Sequence, residues 1–157
     1  KSFSKMSALY EVRFTISADK DYEFLQENNI KLFDKVNEIY GRSFYNCRYL
    51  TEANFLNVRK IHESAFEDAR NLQKISLPKI ESISHEAFEF DDSINWVGID
   101  ASRNPEAEGM DIQQIFGEHN NSTNGKLHNI GSNGTYKDQW LNKLCGNGDH
   151  HGWKWDN

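Results

Sequence analysis

The sequence predicts an α/β solenoid: short stacked repeats carrying a parallel sheet along one face, followed by an irregular, aromatic-rich C-terminal tail. Three observations predict it. Apolar residues recur at a fixed step of 22, each repeat ends in a short stretch that alternates with period 2, and the composition shifts after Ile99. Self-similarity at such a step is the mark of units that cannot bury an apolar face alone and bury it by stacking.

The step is carried by six columns. Phe44, Phe66 and Phe88 form one, Ile39, Ile61 and Ile83 another, and Val36, Val58 and Ile80 a third. Leu50, Leu72 and Ile94 follow, then Ala53, Ile75 and Val97, then Phe55, Leu77 and Ile99. In "LQKISL", Ile75 and Leu77 alternate with polar neighbours, which predicts a strand. Pro78 ends that strand because it offers no amide to a ladder. The middle of a unit, "HESAFEDARNL", spaces Ala65, Phe66, Ala69 and Leu72 for one or two helical turns.

The N-terminal stretch "FSKMSALYEVRF" repeats the same offsets with Phe3, Leu9, Val12 and Phe14. Phe3 lies off the 22-residue step from Phe44, and "NNIKLF", with Ile30 and Leu32, suits an extra irregular turn between them. About five turns are expected over residues 1–109, with an irregular turn or insertion at 15–35. Strands are expected near 9–14, 28–33, 50–55, 72–77 and 94–99. Phe3 and Leu9 leave an apolar end for a preceding turn or a partner to cover. Residues 110–157 are expected to be a separate cap or appendage. Within them "DIQQIF" (111–116) reads as a short helix capped by Asp111. The Asn-Gly pairs at 124–125 and 133–134 read as turns. "YKDQWLNKLCG" puts Trp140, Leu141 and Leu144 on one helical face and stops at Gly146.

These units resemble the BspA-like (Treponema pallidum type) leucine-rich repeat family, whose units run roughly Ile-Gly-x-x-Ala-Phe-x-x-Cys-x-x-Leu-x-x-Ile-x-Leu-Pro. "IHESAFEDARNLQKISLP" (61–78) matches nearly throughout, with Ala69 at the Cys position. "IYGRSFYNCRYL" keeps that Cys as Cys47, and "ISHEAFEFDDSI" has Asp91 there. The family's Gly after the first Ile is replaced by His62 and Ser84. "GIDASRNPEAEG" (98–109) is similar to the Asn-Pro segment that often follows the last strand in such proteins. The resemblance covers about residues 1–109. It implies a leucine-rich-repeat solenoid, and a cell-surface or secreted protein of bacteria or certain protists that acts in adhesion. It also implies that Cys47 is a small buried residue at a repeat corner. A scaffold of this kind does not itself specify a ligand.

Composition narrows the partners. Net charge is -6, with 18 basic against 24 acidic residues, which argues against sequence-independent nucleic-acid binding. No apolar run approaches a membrane span. The chain opens at Lys1 without Met, which predicts a processed or excised piece of a larger protein.

With Ile75 and Leu77 pointing inward, the side chains between them face out. The outward rows are Glu11 and Arg13, Asn29 and Lys31, Glu52 and Asn54, Lys74 and Ser76, and Trp96 and Gly98. An exposed Trp among polar groups is an anchor for a sugar or a protein; alternatively Trp96 covers the end of the core against the tail. The candidate ligand-binding residues are Glu11, Arg13, Glu52, Asn54, Lys74, Ser76 and Trp96, with a protein or glycan as partner. Opposite charges in neighbouring copies of the second segment, such as Arg59 and Glu81, predict ion pairs between turns.

No catalytic constellation, cofactor motif or metal pattern is expected. Cys145, His150 and His151, with His119 and His128 upstream, do not match the paired spacing of structural zinc. Cys47 and Cys145 are too few to define a disulfide framework. Asn120, Asn121 and Asn133 begin Asn-x-Ser/Thr triplets, which would accept glycans in a eukaryotic secretory setting. The leading expectation is a non-enzymatic binding or adhesion module, extracellular or at the cell surface. The alternatives are a structural spacer that presents another domain, and the repeat part of an enzyme or effector with catalysis elsewhere.

Overall fold

The computed structural model describes residues 36–48 and 50–157. The expected strands near 9–14 and 28–33, the irregular segment at 15–35, and candidates Glu11 and Arg13 lie outside the described residues.

Each repeat contributes one strand to each of two parallel sheets. The first sheet comprises β1 (Glu38–Ile39), β3 (Lys60–Ile61), β5 (Ser82–Ile83) and β7 (Asp111–Ile112), side by side in that order. The second comprises β2 (Glu52–Asn54), β4 (Lys74–Ser76), β6 (Trp96–Ile99), β8 (Lys126–Asn129) and β9 (Lys154–Trp155). Register follows the sequence columns. Ile39, Ile61, Ile83 and Ile112 are aligned across the first sheet. Ala53, Ile75, Val97, Leu127 and Trp155 are aligned across the second. The apolar-x-x-Ile segment thus forms a second sheet, where a single sheet face was expected.

The third side is made of turns, and no helix forms where "HESAFEDARNL" was expected to supply one. Within a turn, Ala65 and Glu67 donate to carbonyls three residues back, at His62 and Ser64. The alternate amides donate to the next repeat instead: Ser64 to Glu86, Phe66 to Ala87 at 2.7 Å, and Asp68 to Glu89 at 2.9 Å. This alternation needs left-handed residues at regular places, and Arg42, Asn46, Ser64 and Asp68 all have φ between 54° and 65°. Left-handed backbone costs an ordinary residue roughly 1–2 kcal/mol, and the inter-repeat hydrogen bonds offset that here.

Inside, the apolar columns stack. Phe44 and Phe66 lie 4.8 Å apart with planes 3° from parallel, and Phe66 and Phe88 lie 4.9 Å apart at 5°. These separations equal the spacing between hydrogen-bonded strands, about 4.8 Å, so one ring sits directly on the next. Phe55 meets Phe66 edge-on at 5.5 Å. Cys47 and Ala69 fill the small position of the column, and both are buried. Cys47 and Cys145 are both buried and are not joined in a disulfide.

Both sheets run past residue 109. Asp111 and Ile112, expected in a helix, pair with Ser82 and Ile83 as β7. The segment 126–129, between expected turns, pairs with β6 as β8. Phe116 continues the ring column below Phe88 at 6.1 Å, and Trp153 stacks on Phe116 at 4.7 Å. The 22-residue step lengthens here because loops and one helix are extruded between the strands. The helix, α1 (Lys137–Cys145), buries Trp140, Leu144 and Cys145 and stops at Gly146, where φ is 79°. The Trp140 indole donates to the Arg103 carbonyl at 2.8 Å. The Ile115 and Phe116 amides donate to the Leu144 carbonyl. Trp140 and Trp153 are therefore the tryptophans that close the core.

Candidate functional site

Strand register sets the outward face of the second sheet. Glu52, Lys74, Trp96, Lys126 and Lys154 form one row across the five strands. Asn54, Ser76, Gly98 and His128 form the parallel row. The inward residues between these rows, Ala53, Ile75, Val97 and Leu127, are buried, so both rows lie on the outer face of the sheet, with Gly98 itself buried beneath its neighbours. Four of the sequence candidates, Glu52, Lys74, Asn54 and Ser76, take their expected outward places beside Trp96.

Trp96 is half-buried and lies along the sheet. A Cβ added at Gly98 would come within 3.3 Å of its six-membered ring and 3.1 Å of the Ser76 hydroxyl. The glycine is thus the floor on which the indole rests. His128 stacks beside it, 5.1 Å away and 26° from parallel, and the Lys74 ammonium is 5.9 Å from the ring centre. His128 Nδ1 pairs with Asp156 Oδ1 at 2.8 Å. The indole is thus packed between the Gly98 floor, the His128 ring stacked on it and the Lys74 ammonium. Lys126, His128 and Lys154 were missed from the sequence. The alternation around Leu127 in "KLHN" was the signal for Lys126 and His128, hidden by the flanking Asn-Gly pairs, and for Lys154 it was the flanking Trp153 and Trp155.

The first sheet's outward face is polar and internally paired. Arg59 Nη1 meets Glu81 Oε2 at 2.6 Å, an ion pair between successive turns of the expected kind. Burial alone would raise the Glu38 carboxyl, but hydrogen bonds from His62 and Tyr40 hold it below the usual carboxylate range. At the adjoining corner His85 contacts Gln113 and Glu86, and its pKa is raised chiefly by the Gln113 hydrogen bond.

The tail residues considered for metal are dispersed. His150 bonds Asn142 at 2.7 Å, His119 lies against His85, and His128 is paired with Asp156. Among the described residues no group of three or more His, Cys, Asp or Glu is placed to hold a metal ion. Burial pushes the Cys145 thiol up to about 12, so it is no thiolate at neutral pH. Asn120 is buried, and its Oδ1 accepts from the Gly117 and Ser122 amides and the Ser122 hydroxyl. Asn121 and Asn133 are exposed. Among the described residues no helix is long and apolar enough to cross a membrane.

Two stacked parallel sheets with a ladder of repeat apolar residues define a leucine-rich-repeat solenoid. Residues 1–104 match the family described as BspA type leucine rich repeat region (6 copies), and the chain belongs to that family. No curated protein and no solved structure matches the chain.

Proposed function

We propose that this chain is a non-enzymatic binding module of a cell-surface or secreted repeat protein. It takes a protein or glycan on the outward face of the second sheet. Membership of the family supports a repeat module with an extended binding surface. The observation that carries the reading is Trp96, half-exposed over Gly98, stacked on His128 and next to Lys74. A large indole held at the surface by a glycine floor leaves apolar area in water that a ligand would cover. Large aromatic side chains of this type dominate binding energetics. Glu52, Asn54, Lys74 and Ser76 flank it on the same face and would supply polar contacts.

The test is an array of glycans and matrix proteins probed with the chain, then with Trp96→Ala, Lys74→Ala and Glu52→Ala. The reading expects at least one ligand whose binding is lost with Trp96→Ala. A structural spacer would show no ligand on a broad array, or binding indifferent to all three changes, and either result sinks the proposal.

A further inference from the structure

We infer that Asn133 is the acceptor site for an N-linked glycan, the one of three Asn-x-Ser/Thr triplets at which activation and access coincide in this fold. The inference rests on the reading of a secreted chain above and goes beyond it by assigning a modification.

Transfer of a glycan to asparagine sets two conditions. The side-chain amide must be open to solvent, so that the glycan stands outside the fold. The carboxamide nitrogen must also become a nucleophile, and it is a poor one while its lone pair is delocalised onto oxygen. Donors on Oδ1 stabilise the negative charge that gathers there when a base takes a proton from Nδ2. A hydroxyl two residues on, donating to Oδ1, therefore activates the nitrogen. The nitrogen then bonds to the anomeric carbon of a lipid-diphosphate-linked oligosaccharide. The bond from that carbon to the diphosphate breaks, and the lipid diphosphate leaves with the electron pair.

The three triplets divide on these conditions. Asn120 has the hydrogen bonds without the access. Its Oδ1 accepts from the Ser122 amide at 3.0 Å and the Ser122 hydroxyl at 2.6 Å. The residue is 1% exposed, and its Nδ2 is buried, so a glycan there and the fold exclude one another. Asn121 has the access without the hydrogen bonds. It is exposed, but its side chain accepts nothing from Thr123 among the described residues. Its segment is also pinned on both sides. The Asn121 amide donates to the Gly117 carbonyl at 2.6 Å, and the Trp153 indole donates to the Ser122 carbonyl.

Asn133 has both. Residues 132–135 are all exposed. Asn133 Oδ1 accepts from the Thr135 amide at 3.0 Å and the Thr135 hydroxyl at 2.6 Å. A backbone amide can only donate, so the atom it meets is the oxygen. Nδ2 is then the end without a partner among the described residues. Asn129 Nδ2 anchors the loop by donating to the Asn133 carbonyl at 3.0 Å. Asn129 ends β8, about 10 Å along the strand from Lys126, so the glycan is attached beyond the row that carries Trp96.

The experiment is secretion of the 157-residue chain from cultured eukaryotic cells behind a cleaved leader. The same chain translated with microsomes needs no export and gives a second readout. Gel mobility before and after peptide N-glycosidase shows the glycan, and peptide mass spectrometry places it. Release in heavy-oxygen water separates a glycan site from spontaneous deamidation of the Asn133–Gly134 pair. A single glycan is expected, on Asn133. It should vanish in Asn133→Gln and in Thr135→Ala, which keeps the asparagine. It should persist in Thr135→Ser and in Asn121→Gln. A chain without a glycan in both systems overturns the inference, and deamidation alone counts as no glycan. A glycan on Asn120 or Asn121 overturns it too, as does one that survives Thr135→Ala. The leader is supplied, so failure speaks to the site and not to the compartment. Array binding is measured on the unglycosylated chain, so the Trp96 reading and this one stand or fall separately.

Discussion

Asp91 stands where the family places a cysteine, and replacing it should make the protein more stable. The side chain is buried, and neither carboxyl oxygen has a hydrogen-bond partner. Burial raises its pKa from 3.8 to about 9; the Ala69 backbone, not in hydrogen-bond geometry, and Arg70 pull the other way, while Asp68 and Asp92 reinforce the rise. At pH 7 the folded protein therefore holds a proton on Asp91 that the unfolded chain releases. Between about pH 4 and 9 the folded state binds more protons than the unfolded one, so stability falls as pH rises. The fall is about 1.4 kcal/mol per pH unit, or about 4 kcal/mol accumulated by pH 7. Ala69 shows that a methyl group fits the same place in the column. Asp91→Ala should recover most of that energy, less about 1 kcal/mol for the vacated volume.

Urea unfolding followed by circular dichroism at pH 5, 7 and 8.5 measures it. The variant should gain about 3 kcal/mol at pH 7, about 6–12 °C in Tm for a chain of this size. Its advantage should widen between pH 5 and 8.5. Other shifted groups need separating from this one, and Glu38 and His85 show how. Glu38, held low in the folded state, contributes stability that is lost on acidification, below the window used. His85, held high, contributes stability lost as pH rises through its folded pKa, but it does so equally in both proteins and cancels in the difference. Parallel stability profiles for the two proteins, or a variant less stable at pH 7, would refute the reasoning.

Three further outcomes are expected. Gly98→Val should lift the Trp96 indole off the sheet, since even a Cβ meets the ring at 3.3 Å; ligand binding measured by titration should fall about as far as in Trp96→Ala, with far-ultraviolet dichroism unchanged. Phe66→Ala should cost about 3–5 kcal/mol in urea unfolding, because the ring is sandwiched between Phe44 and Phe88; a loss under 1 kcal/mol would mean the ring column is not the core. Cys47 and Cys145 should resist a thiol reagent at pH 8 in the native protein and both react in urea, because both are buried and the Cys145 thiol titrates at about 12.

The repeat columns were legible because stacking imposes identical constraints at each step: Phe66 needs a flat ring above and below, and Ile75 needs an inward neighbour of its own kind. Period 22 therefore found β2, β4 and β6, and with them the outward places of Glu52, Lys74 and Trp96. It did not distinguish a helical turn from a turn ladder, since Ala65, Phe66, Ala69 and Leu72 are buried in either. What decides between them is the backbone sign at Ser64 and Asp68, and residue type carries that weakly: Arg42 adopts the same left-handed conformation. The tail was opaque for a related reason. Strands β7 to β9 each expose only one or two inward residues, Ile112, Leu127 and Trp155, to a pattern search. The loops between them break the step that would have aligned them. Register restores it, and it is register that puts Lys126 and Lys154 in line with Trp96.

That alignment bears on how such a scaffold acquires specificity. Inward residues at each strand are interchangeable apolar groups, constrained by the layer below. Outward residues are not constrained by stacking, and the row runs Glu52, Lys74, Trp96, Lys126, Lys154 without repetition of the acid. The change from mixed charge to uniform positive charge occurs where the step lengthens. Loops and α1 are inserted between the strands there, while the strands keep their pairing. Longer connections therefore leave the sheet surface intact and free its composition from the repeat consensus. In the C-terminal half of this face the consensus has weakened but the register has not.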